Sequence, residues 1–184
     1  MPTPELQRAH ALVAEHLDTL FRVAYRLTHN VPDAQDLVQD TCVAAAQNMA
    51  RLAAMDTSLH WLLRVMHNRF LDCARRRQRS PFIAAASEQH ARRVVSDAPG
   101  PEELLQQADS EGALQRAFMR LDDTQRTLLS LRAEGYDLAE IETITGLARE
   151  VLRMRLHRAR RTLAQYLDES NDATPAAGRV ESGT

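Results

Sequence analysis

The sequence lacks lysine entirely: all 23 basic residues among its 184 are arginine. Aromatic residues make up only 4% of the chain and glycine occurs six times, which disfavours an all-β sandwich with its many turns. No apolar run approaches the roughly 20 residues of a membrane-spanning helix, and the amino terminus carries no basic-then-apolar signal. The formal charge of −2 excludes a bulk polycation and a strongly acidic disordered chain. We therefore expect an all-α, cytoplasmic protein with an aliphatic core.

Sequence signatures of catalysis and metal binding are also missing. Cys42 and Cys73 form no CxxC pair, so each is interpreted as a small buried hydrophobe in a reducing compartment. The seven histidines are scattered, without an HExxH pair, and the sequence has neither a glycine-rich phosphate loop nor a GxSxG motif. The sequence therefore predicts no enzyme, no metal site and no cofactor.

Charge is strongly patterned along the chain despite the near-neutral total. Residues 64–79 (the first arginine cluster) and residues 149–161 (the second arginine cluster) each hold six arginines and one acidic residue. Asp33, Asp36 and Asp40 form an acidic stretch with no basic residue among them. A charge run is most often a solvated face, but two matched clusters favour two contacts with a polyanion and a separate acidic surface for a basic partner.

The first 80 residues predict three helices from apolar residues that recur at three- and four-residue steps. Asn30 and Pro32 mark the end of one helix and the start of the next, and Ser58 is the expected N-cap of the third. The third helix is expected to bury Trp61, Leu62, Val65, Met66, Phe70 and Cys73. Its opposite face should expose His60, Arg64, His67, Asn68, Asp72 and Arg75.

The remainder predicts a linker and a second group of helices. Pro99-Gly100-Pro101 is a firm helix breaker. Asp122 or Asp123 should cap a helix that ends at Gly135, a short helix should stop at Gly146, and a longer helix should follow. The expected boundaries are a first domain over 1–80, a flexible linker over 81–108, a second domain over 109–168 and a disordered tail over 169–184.

The second arginine cluster lies on a helix that follows a short helix and a glycine turn. This order is typical of a helix-turn-helix, whose second helix enters the major groove. A helical hairpin with an exposed charged helix is the alternative. On the third helix of the first domain, Trp61 is favoured as a core anchor, although it could also shape a surface that receives unstacked bases.

The motifs resemble those of extracytoplasmic-function sigma factors, the compact members of the sigma-70 family. Residues 34–40, AQDLVQD, resemble their AEDLVQ(D/E) signature, and residues 61–68, WLLRVMHN, resemble their WLxxIAxN helix. The last block, from Leu121 through Arg160, resembles their LPxxxR…EIAxxLG…VxxRLxRAR pattern. The likeness spans roughly residues 10–168, in order and in spacing.

The resemblance implies two small helical domains, a region 2 bundle and a region 4 helix-turn-helix, in a specificity subunit of RNA polymerase that serves a stress- or signal-responsive regulon. The implied partners are core polymerase (through its β′ clamp and β flap), promoter DNA and an anti-sigma factor. Polymerase contacts are expected at Asp33, Asp36, Leu37, Gln39 and Asp40. Contacts with the −10 element are expected at His60, Trp61, Arg64, His67, Asn68, Arg75 and Arg76. Contacts with the −35 element are expected at Arg149, Arg153, Arg155, His157 and Arg158.

The sequence departs from the family pattern at several positions. Glu142 replaces a small residue in the short helix, and Glu150-Val151 replace Gly-Thr at the start of the second helix. These changes remove a phosphate donor and add a negative charge beside the expected duplex. They favour an alternative, a sigma-like interaction protein that binds polymerase or an anti-sigma factor without reading promoters. A conventional dimeric helix-turn-helix regulator is a third hypothesis, which leaves the AQDLVQD motif unexplained.

Overall fold

The computed structural model describes residues 4–55, 57–79 and 112–172, and within these ranges it contains eight α-helices and no β-strand. The all-α fold expected from the sequence is confirmed. The predicted linker over 81–108 and residues 173–184 of the predicted tail lie outside the described residues.

The first half forms four helices: α1 (Pro4–Thr28), α2 (Val31–Gln47), α3 (Met49–Ala53) and α4 (Ser58–Arg79). The break predicted at Asn30 and Pro32 separates α1 from α2, and Asn30 is the N-cap of α2: its side chain accepts a hydrogen bond from the Asp33 amide at 3.3 Å. The prediction of three helices missed the short α3. Ser58 is the first residue of α4 rather than its cap, and its hydroxyl lies 3.2 Å from Nε2 of His16.

Helix α4 is buried over a wider arc than its periodicity predicted. Cys73 is exposed, whereas His67, expected on the outer face, is buried. The additional burial, at His67, is explained by the packing of helices from both halves of the chain against α4. Trp61 and Val65 are only half-buried, and Cys42 is intermediate. The buried set of this helix is Ser58, Leu62, Leu63, Met66, His67, Phe70 and Ala74.

The second half comprises a helix over residues 112–119 (α5), then α6 (Asp123–Ala133), α7 (Leu138–Thr145) and α8 (Arg149–Asp172). Of the two aspartates offered as the cap of α6, Asp122 is the cap, in a reciprocal capping box with Gln125. Helix α8 runs to Asp172, so the predicted disordered tail begins too early at residue 169.

Two glycines end helices of the second half at positive φ. Gly146 closes α7 with φ +71° in the left-handed conformation, as the helix-turn-helix prediction requires. Gly135 has φ +95° and follows Glu134, the C-cap of α6. Both positions favour glycine because a Cβ is strained there.

The two halves of the chain pack directly on each other. Helix α1 contacts α6, and α4 contacts both α6 and α7. One continuous apolar cluster contains Leu27 and Phe70 from the first half together with Leu131, Ile141 and Ile144 from the second. The structure therefore joins two expected domains through a shared core as well as through the chain between them.

Candidate nucleic-acid interface

The acidic surface predicted for polymerase binding lies on α2. Asp36, Gln39 and Asp40 are exposed and Asp33 is half-buried, and the three aspartates share a face because of their helical spacing. Asp33 also lies in the first turn, where a carboxylate is stabilised by the helix dipole. Leu37 belongs to the core and is only 6% exposed. Its prediction as a surface contact is corrected: it supports the acidic face from beneath.

The residues predicted to contact the −10 element differ in their exposure to solvent. Arg64, Asn68, Arg75 and Arg76 are exposed on α4, whereas His60 and Trp61 are half-buried. Exposed arginines in the last turns suit the negative end of the helix dipole. The outer face of α4 can therefore offer an amide for a base edge and guanidinium groups for phosphates.

His67 does not lie on that outer face. It is 5% exposed, and its Nδ1 atom has no hydrogen-bond partner among the described residues. Burial lowers the pKa of His67 to about 4, with smaller contributions from the nearby charges of Arg64 and Arg75. In this arrangement His67 is a neutral interior side chain, which corrects the expectation that it faces outward.

The predicted −35 surface is fully available on α8. Leu152, Leu156 and Ala159 are buried at helical spacing, which directs the charged residues to the opposite side. The exposed side chains are Arg149, Arg153, Arg155, His157, Arg158, Arg160 and Arg161. Together with α7 and the turn at Gly146, they form the arrangement of a helix-turn-helix with an arginine-rich second helix.

The two arginine clusters meet at one cavity of about 500 Å³. Arg75 reaches it from α4, and Arg155 and Arg158 reach it from α8. Asp122 and Asp123 line the same space and partly compensate the positive charge. The fold thus places side chains from both predicted DNA surfaces around a single polar cleft.

Contacts between the halves were not predicted from the sequence. Glu134 lies 3.2 Å from Arg22 Nη2 and 3.1 Å from Arg26 Nη1, and its side chain is only 8% exposed. Glu140 Oε1 lies 3.4 Å from Nε2 of His60. No local sequence signal identifies such pairs, because their partners are distant in the chain.

Arg126 is a second bridging residue that sequence reasoning missed. It donates to the carbonyl of Leu27 at 3.1 Å, pairs with Asp123, and its guanidinium lies 5.3 Å from the ring centre of Phe70. Its place at the end of the LDDTQR segment was the only available signal. The family pattern includes this arginine but does not indicate a contact between the two halves.

The described ranges offer neither a metal centre nor a membrane-spanning helix. No group of three or more histidine, cysteine, aspartate or glutamate side chains is arranged to hold a metal ion there. Within the same ranges, no helix combines the length and apolarity needed to cross a membrane.

Family models match both halves of the chain. Sigma-70 region 2 matches residues 12–80, and Sigma-70, region 4 matches residues 111–163. The first match contains α2 and α4, and the second contains α6, α7 and most of α8.

Individual relatives agree with these matches. The chain is 33% identical to the ECF RNA polymerase sigma factor SigE of Mycolicibacterium smegmatis, over 89% of this chain and 63% of that protein. It is 25% identical to the RNA polymerase sigma factor YlaC of Bacillus subtilis, over 88% of this chain and 92% of that protein. The solved sigma factor RpoE of Bartonella quintana, in complex with the anti-sigma factor NepR, aligns with a TM-score of 0.63 and 25% identity, over 86% of this chain and 96% of that chain.

Proposed function

Because this chain belongs to the extracytoplasmic-function group of the sigma-70 family, we propose that it is a promoter-specificity subunit of RNA polymerase that acts in the cytoplasm. The observation that carries the proposal is the pair of exposed arginine surfaces on α4 and α8, one within each matched region. The role is regulatory and non-enzymatic: the chain selects the start site and polymerase supplies the chemistry.

The exposed carboxylates of α2 support docking on core polymerase. Asp36 and Asp40 have no basic side chain beside them on this helix, so a basic surface of the β′ clamp would complement them. The β flap is proposed to hold the second domain. An anti-sigma factor is a further proposed partner, because the similar RpoE chain was solved with one.

The outer face of α4 supports recognition of the −10 element as a separated strand. Asn68 can hydrogen-bond the edge of an unstacked base, and Arg64, Arg75 and Arg76 can contact the backbone of that strand. His67 has no place in this contact while it is buried, so any role it has in DNA binding requires α4 to be uncovered.

The exposed face of α8 supports recognition of the −35 element as a duplex. Arg149 and Arg153 lie in its first turns, the part of a recognition helix that reaches base edges. Arg155, His157 and Arg158 lie further along and suit phosphate contacts.

Run-off transcription with core polymerase tests the proposal. We expect promoter-dependent initiation from a native upstream region at low salt, and about tenfold less initiation by Asn68→Ala, because a lost base contact costs roughly 1–3 kcal/mol. Arg153→Gln should weaken initiation only at promoters that need the −35 element. The matched control is Gln165→Ala, an exposed amide on the distal part of α8. Absence of initiation from every native upstream region tested would contradict the proposal.

A sigma-like interaction protein that reads no promoter is the second candidate. Glu150 favours it, since this exposed carboxylate lies in the first turn of α8, where duplex phosphates would approach. The experiment that separates the candidates is photo-crosslinking from Asn68 and Arg153 in the polymerase complex. Crosslinks to promoter DNA support the sigma factor, whereas binding to polymerase or an anti-sigma factor without such crosslinks supports the second candidate.

A further inference from the structure

Helix α8 presents a line of side chains directly opposite its buried face. Glu150 and Met154 each lie two residues from Leu152, which is fully buried. Because an α-helix has about 3.6 residues per turn, both side chains leave the helix roughly 160° away from Leu152. His157 and Arg161 extend the same line, three and seven residues after Met154. We call Glu150, Met154, His157 and Arg161 the outer stripe.

The outer stripe is the part of α8 that would enter a groove of duplex DNA first. Glu150 and Met154 lie in the first two turns of the helix, and these turns of a recognition helix reach base edges. Arg153 and Arg155 precede and follow Met154, so their exposed side chains leave the helix on either side of the stripe. The centre of the groove is thus left to a carboxylate and a thioether rather than to a guanidinium group.

Met154 is an apolar side chain in a charged surface. It is 46% exposed, and among residues 149–169 of α8, whose burial the structure describes, it is the only large hydrophobic residue that is exposed. The major groove displays one apolar group, the C5 methyl of thymine. A flexible and polarisable thioether packs readily against such a group, and the contact removes apolar surface of both from water. Met154 therefore suits a thymine.

Glu150 is an exposed carboxylate that makes no ion pair or side-chain hydrogen bond with any described residue. An ionised carboxylate can only accept hydrogen bonds from a base edge. In the major groove guanine displays two acceptors and thymine one, adenine displays a donor beside an acceptor, and cytosine displays a donor alone. Glu150 is therefore attracted to the N4 amino group of cytosine and repelled when guanine stands in its place.

We propose that Glu150 and Met154 determine the base sequence that α8 recognises, with Glu150 selecting a cytosine and Met154 a thymine close to it. The inference rests on the proposed function, because these bases belong to the −35 element. The two residues are separated by about 6 Å along the helix axis and successive base pairs by about 3.4 Å, so the selected bases lie within roughly two steps of each other. The negative charge of Glu150 weakens attraction to phosphates in general and makes recognition depend more on the cytosine contact.

Initiation from a library of promoters tests the role of Glu150. The library is a promoter on which the polymerase complex initiates in the run-off assay, with its −35 region randomised. Wild type should prefer cytosine over guanine about tenfold at one position. Glu150→Gln should transfer this preference to adenine, because an amide bonds both N6 and N7 of that base. The matched control is Asp168→Asn, which removes a carboxylate from an exposed position on the distal part of α8 and should leave the preference unchanged.

Removal of a single methyl group tests the role of Met154. Deoxyuridine replaces the thymines of the preferred element one at a time, and at one of them the wild-type complex should initiate roughly threefold less. Met154→Ser should initiate equally from thymine and deoxyuridine at that position, whereas Met154→Leu should keep the difference. The control is deoxyuridine at a thymine upstream of the −35 region, which should have no effect with any of these proteins.

A purely structural role of Glu150 gives a different result. In the first turn of α8 its carboxylate also stabilises the helix dipole, so its loss on those grounds would lower the melting temperature and the yield of transcript from every promoter alike. The preferred base would then stay the same, which would overturn the assignment of Glu150 as a base contact.

The outcomes distinguish this inference from the proposed function. If wild type initiates transcription but Glu150→Gln keeps the wild-type base preference, the role assigned to Glu150 is wrong and the proposed function stands. If Met154→Ser still distinguishes thymine from deoxyuridine, the role assigned to Met154 is wrong and the proposed function again stands. If no promoter supports initiation, the proposed function fails and this inference fails with it.

Discussion

At the scale of single residues, His67 is the side chain whose position matters most. It lies between the exposed Arg64 and Asn68 along α4 yet is buried itself, with its pKa lowered to about 4 by desolvation first and by Arg64 and Arg75 after that. The folded protein therefore holds a neutral imidazole where an unfolded chain would take up a proton near pH 6.5.

Acid should consequently destabilise the fold between pH 6.5 and pH 4. The folded pKa is depressed, so the stabilising contribution is present above 6.5 and is lost as the pH falls towards 4, by up to about 3 kcal/mol. Urea unfolding at a series of pH values measures this loss. His67→Gln should flatten the dependence, whereas His157→Gln, an exposed histidine on α8, should leave it unchanged.

His29, which is half-buried, contributes with the same sign. The pKa of His29 is lowered by burial and then by the charge of Arg126. Some acid sensitivity should therefore remain in His67→Gln and decrease further when His29→Gln is added. An identical pH dependence in wild type and in the doubly substituted protein would contradict this account.

At the scale of elements, the helix-turn-helix depends on capping interactions at both ends of α7. Asp137 and Glu140 form a reciprocal capping box at its start, and Gly146 ends it in the left-handed region. The helix has only eight residues and depends strongly on its caps, because isolated helices of this length are unstable.

Gly146→Ala should lower the free energy of unfolding by about 1 kcal/mol, since a Cβ at φ +71° is strained. Space is not the cause, because the added Cβ would lie 3.6 Å from Nη2 of Arg64, an ordinary contact. Gly112→Ala is the matched control, at a helical position where the new Cβ meets only the flexible end of Arg116. Thermal unfolding should show a decrease for the first variant only, and equal melting temperatures would contradict the argument.

The helix ends that could be predicted are those determined by residues close to them in the sequence. The helix break at Asn30, the aspartate cap of α6 and the end of α7 at Gly146 all depend on residues within a few positions of each other, so the sequence predicts them. The short α3 has no such signals. The burial of His67 was not predicted because α4 is also covered by helices from the other half of the chain.

The candidate site likewise contains some features that the sequence predicts and others that depend on tertiary packing. The outward face of α8 follows from its own periodicity, so its exposed arginines could be predicted. The inward position of Leu37 also follows from periodicity. Its prediction as a polymerase contact came instead from the resemblance of AQDLVQD to the family motif. The pairing of Glu134 with Arg22 and Arg26 could not be predicted, because the proximity of these residues depends on tertiary packing alone.

At the scale of the whole molecule, the net charge of −2 is a sum over surfaces of opposite sign. Arginine covers the outer faces of α4 and α8, while carboxylates line α2 and the contact between the halves. Long-range attraction to DNA is set by these surfaces rather than by the total. The packing of the two halves leaves the α8 surface exposed and covers part of the α4 surface.

The salt dependence of promoter binding by the polymerase complex should reveal both arginine surfaces. Arg76→Gln on α4 and Arg158→Gln on α8 should each reduce the slope of log affinity against log salt by about one, because each removes one phosphate contact. The control is Arg116→Gln, an exposed arginine of α5 outside both clusters. Unchanged slopes in the first two variants would exclude these arginines as phosphate contacts.

The shared apolar cluster also makes the arrangement of the two halves depend on temperature. Separating them exposes Ile141, Ile144 and their partners on α4 to water, which carries a positive change in heat capacity. Apolar association weakens on cooling, and so does a buried ion pair, because the cost of desolvating its charges rises as the temperature falls. The contact between the two halves should therefore weaken in the cold, so chilling alone should shift the population of free molecules towards separated halves.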